Sequence, residues 1–105
     1  MTEALVVLVT CPDRSSAEGL AGALVNEKLA ACGNVMSAVE SFFFWDGEVQ
    51  NESEFLLVLK TREDLFEDVK ARVQEMHSYE VPEIIALPIA HGNQAYLDWI
   101  DETTR

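Results

Sequence analysis

The stretch Val35-Met36-Ser37-Ala38-Val39-Glu40-Ser41-Phe42-Phe43-Phe44-Trp45-Asp46-Gly47-Glu48 decides the fold. Its aromatic and β-branched residues favour extended backbone. Asp46-Gly47 is the dipeptide that a two-residue hairpin turn needs, because both central residues must take positive φ. A strand over Val35–Trp45 is therefore predicted, with a return strand from Glu48 to Lys60 that is polar near the turn and apolar from Phe55 to Leu59. Strict alternation puts Val35, Val39, Phe43 and Trp45 on one face and Met36, Ala38, Phe42 and Phe44 on the other. A peripheral strand with two apolar faces needs a cover that one chain does not obviously supply.

On the N-terminal side, Glu3–Thr10 (EALVVLVT) reads as a buried strand ended by Cys11-Pro12-Asp13. Ser15 with Glu18 forms a capping box for a helix whose stripe is Ala17, Leu20, Ala21, Leu24, Val25 and Leu29. On the C-terminal side, Thr61 with Asp64 opens a second helix, with the stripe Leu65, Val69, Val73 and Met76. The corner His77-Ser78-Tyr79-Glu80-Val81-Pro82-Glu83 follows, stiffened by Pro82. A fourth strand, Glu83–Ala90, ends at His91-Gly92-Asn93. Tyr96, Leu97, Trp99 and Ile100 give a last short helix, and Thr103–Arg105 is expected to fray. The order β-α-β-β-α-β plus a helix is the α+β, ferredoxin-like split βαβ pattern, with an antiparallel sheet in the order 4-1-3-2. No linker or repeat interrupts it, so residues 1–105 read as one domain.

Hydrophobic residues make up 49% of the chain and the net charge is -12. Nucleic acid and anionic membranes demand clustered Lys and Arg, so neither is an expected partner. A negative field instead concentrates cations. Met1-Thr2-Glu3 carries no basic leader and Ala4–Val9 is too short for a signal core or a membrane span, which predicts a cytoplasmic protein. Two cysteines are too few for a disulfide framework.

The strand directions bring particular groups together. Cys11 ends the first strand, and the second helix delivers Met76 and His77 to that same end, near Glu80. Thiolate, thioether and imidazole suit copper(I). The same residues also fit a buried thiol, the end of an apolar stripe, and a helix C-terminal cap. Cys32 begins the second strand at the opposite end, roughly 20 Å away, so no intrachain disulfide is expected. Glu80 and Glu83 lack a positioned nucleophile, and no Gly-rich phosphate loop is present, so nothing points to an enzyme.

Thr10-Cys11-Pro12, Leu29-Ala30-Ala31-Cys32 with Asn34, Trp45 with Gly47, Lys60-Thr61, His77-x-Tyr79-x-x-Pro82-Glu83, and Gly92-Asn93 with Tyr96 and Trp99 occur in this order. On these motifs the chain resembles the CutA family of divalent-cation tolerance proteins from Val6 to Trp99. The resemblance implies a ferredoxin-like subunit in a homotrimer similar to the PII proteins, with copper or another divalent cation bound. It implies metal ligands at Cys11 and His77, with Met76 standing where the family's bacterial copper site has the first of two adjacent histidines. The other reading is a PII-like sensor or scaffold whose inter-subunit cleft, with Trp45, Lys60, Tyr79 and Glu80, takes a small ligand.

Overall fold

The structure, a computed structural model, describes residues 3–105. Met1 and Thr2, part of the stretch read for a leader, lie outside the described residues. The elements are β1 (Ala4–Cys11), α1 (Arg14–Asn26), β2 (Cys32–Trp45), β3 (Glu48–Arg62), α2 (Phe66–Met76), β4 (Ile84–Pro88) and α3 (Gln94–Thr103), with a 3-10 turn at Glu63–Leu65. The sheet order is β2-β3-β1-β4 and every neighbouring pair is antiparallel. This is the expected ferredoxin-like arrangement.

Alternation along β1 turns Leu5, Val7, Val9 and Cys11 towards the helices. Opposite them in register stand Thr61, Leu59, Leu57 and Phe55 of β3. Ala17, Leu20 and Leu24 of α1 and Val69 and Val73 of α2 close over this layer. Burying each large aliphatic side chain stabilises the fold by about 1.5–3 kcal/mol. The other sheet face has no such cover. It carries Val6 and Leu8, Leu56 and Val58, and the exposed Met36, Phe43, Ile85 and Leu87.

Three local expectations are corrected. The cap of α1 is Asp13, whose Oδ1 accepts from the Ser16 N–H at 2.8 Å, so the helix is capped two residues before the predicted cap Ser15. Thr61 does not cap α2; it is the buried end of β3, and its hydroxyl donates to the Leu29 carbonyl at 2.6 Å. The C-terminus is anchored rather than frayed. The Arg105 N–H donates to the Lys28 carbonyl at 3.0 Å and the Thr104 hydroxyl to the Ile100 carbonyl at 2.8 Å.

The alternation read along β2 is broken as well. Met36 pairs with Leu56 and Val39 with Glu54, which leaves one residue more on β2 than on β3. Ala38 absorbs this bulge at φ 64°, a left-handed conformation unusual for alanine. The extra residue swaps the faces beyond it. Val35 therefore faces the helices, whereas Val39, Phe43 and Trp45 join Met36 on the open side. Asp46 and Gly47, at φ 57° and 79°, make the predicted turn. The hairpin tip runs past the helices, leaving Phe42 and Phe44 exposed by 71% and 76%.

Candidate functional site

The corner between α2 and β4 folds back onto the open face at the end where β1 finishes. Met76 is the last residue of α2, and the His77 N–H still closes the helix by donating to the Val73 carbonyl at 2.8 Å. Beyond it the chain extends, with His77 at φ -76° and ψ 140° and Pro82 lying ahead. The His77 ring reaches β1, where Nε2 lies 2.8 Å from the Thr10 carbonyl oxygen. A carbonyl only accepts, so Nε2 carries the proton. Nδ1 then accepts from the Tyr79 N–H at 3.1 Å. The imidazole is a strut that pins the corner to β1, and both of its nitrogens are engaged.

Cys11 is fully buried on the helix side at this same end. Burial, then the carboxylates of Glu54 and Asp13, pushes its thiol up to about 11. Met76 is partly exposed beside the corner. The three sequence candidates thus share one end of the sheet. Among the described residues, no three His, Cys, Asp or Glu side chains converge on a metal-sized point. Cys11 and Cys32 are both free thiols.

Next to the corner is a cleft of about 800 Å³ between residues 78–83 and the hairpin. Phe42, Phe43, Trp45 and Tyr79 supply its aromatic wall, and Glu52, Glu54, Glu80 and Glu83 its carboxylates. Among the described residues, no Lys, Arg or His lines it. The Tyr79 hydroxyl donates to Glu54 Oε2 at 2.7 Å. Burial, that hydrogen bond and the charges of Glu54 and Glu52 all hold the phenol protonated, above its usual range. Trp45, Tyr79 and Glu80 line this cleft within one chain, whereas the sequence reading expected a cleft between subunits. Lys60 is not on this wall: it pairs with Cys32 in register and donates to Asn34 at the opposite end of β3. Glu54 is the cleft residue that sequence reasoning missed. It looked like any other acidic residue of the return strand, and only the fold sets it under Tyr79.

The family model described as CutA1 divalent ion tolerance protein matches residues 5–103. The divalent-cation tolerance protein CutA of Thermus thermophilus is 50% identical over 99 residues, covering 94% of this chain and 96% of that protein. The chloroplastic protein CutA 1 of Oryza sativa is 46% identical over 101 residues, or 96% of this chain. The chain spans only 57% of the length of that rice protein. A crystal structure of CutA1 from Oryza sativa superposes with a TM-score of 0.96 at 45% identity, covering 99% of this chain and 95% of the other. The structure of the periplasmic divalent cation tolerance protein CutA from Archaeoglobus fulgidus superposes at 0.92 with 42% identity, covering 95% and 97%. The chloroplastic and periplasmic relatives overturn the cytoplasmic expectation. The composition of residues 1–9 does not locate a chain whose relatives include proteins described as chloroplastic and periplasmic.

Proposed function

The chain belongs to the CutA1 divalent ion tolerance family, and from that premise we propose that it acts as a homotrimeric, non-enzymatic protein that binds copper or a similar divalent cation. Each copy would contribute one domain. The assembly is supported by the open sheet face, where Met36, Phe43, Ile85 and Leu87 lie uncovered beside Val6, Leu8, Leu56 and Val58. The hairpin tip, apolar on both sides, extends the same surface. Patches of this kind mark subunit contacts. Sedimentation equilibrium at micromolar concentration tests it. Wild type should have three times the 11.7 kDa subunit mass, and Leu87→Asp, at a position 51% exposed in the subunit, should fold as a monomer. A monomeric wild type ends the assembly proposal.

The metal reading is carried by His77, whose ring is bonded to the carbonyl just before Cys11. With Met76 at the adjoining helix end, imidazole, thiol and thioether make a donor set suited to copper(I). These residues hold a metal only after rearrangement. The His77 ring must release either Thr10 or Tyr79, and Cys11 must lose a proton that its surroundings hold tightly. Releasing the Tyr79 N–H frees Nδ1 as a ligand while Nε2 keeps its bond to the Thr10 carbonyl.

One observation favours a second reading. The cleft beside the corner gathers Trp45, Tyr79 and Glu80 in a space large enough for a small molecule. In that reading the protein is a PII-like sensor, metal affinity is incidental, and Lys60 joins the cleft only from a neighbouring subunit.

A further inference from the structure

We draw no further inference here: the strongest candidate, the cluster at the start of β2 where the partly buried Cys32 thiol meets Lys60, Asn34 and Tyr96, is a single cysteine on the sheet face that the proposed homotrimer covers, and nothing among the described residues points to a ligand there.

Discussion

Iodoacetamide should alkylate Cys11 about a hundredfold more slowly in the folded protein than in the unfolded chain. Only the thiolate attacks, and folding moves this thiol from its ordinary 9.0 to about 11. At pH 7 the thiolate is about one thiol in a hundred when unfolded and about one in ten thousand when folded. Complete burial of the side chain adds shielding, so the chemical factor is a lower bound on the slowing. The same displacement has a consequence for stability. A thiol whose folded pKa is raised favours folding while protonated. That contribution is complete below the unfolded value of 9.0 and is lost as pH rises through about 11. Two pH units correspond to at most about 2.7 kcal/mol. Pulsed alkylation with peptide mapping, with and without urea, measures the rate. Urea unfolding of wild type and Cys11→Ala from neutral to alkaline pH measures the stability. Folded-state alkylation within tenfold of the unfolded rate would refute the reasoning, as would parallel stability curves for the two proteins above pH 9.

At the β2 bulge, Ala38→Val should destabilise by roughly 1–3 kcal/mol, because a β-branched residue fits badly at positive φ. Ala38→Gly should be neutral or slightly stabilising, and urea midpoints read both. Thr61→Val removes the buried hydroxyl that serves the Leu29 carbonyl, so it should cost about 1–3 kcal/mol in the same assay.

The fold was legible because its signals are local. Asp46-Gly47 supplies the hairpin chemistry, and the stripes of α1 and α2 repeat at helical spacing. What stayed hidden depends on contacts far apart in the chain. Alternation alone put Val35 on the face of Phe43, since nothing in Met36-Ser37-Ala38 announces a bulge. The anchoring of Arg105 by Lys28 joins the chain end to the far side of α1, so a polar tail looked free. At the site, the strand directions were enough to bring Cys11, Met76 and His77 to one end. The double engagement of the His77 ring was not readable, because it depends on how the corner turns after the helix. Glu54 and Tyr79 are likewise 25 positions apart and meet only once β3 and the corner are in place.

Copper(I) titration of the reduced protein against a competing chelator addresses the proposed cation site most directly, with wild type beside Cys11→Ser, His77→Ala and Cys32→Ser. Wild type should bind with an affinity that rises with pH, because the Cys11 proton must leave. Cys11→Ser should weaken binding most, since the thiolate is the softest ligand and carries the compensating charge, and His77→Ala should follow. Cys32→Ser should change little, as that thiol lies beside Lys60 at the other end of the sheet. Loss of binding in Cys32→Ser with Cys11→Ser unaffected would contradict the account. So would copper that all three variants retain and that raised salt removes.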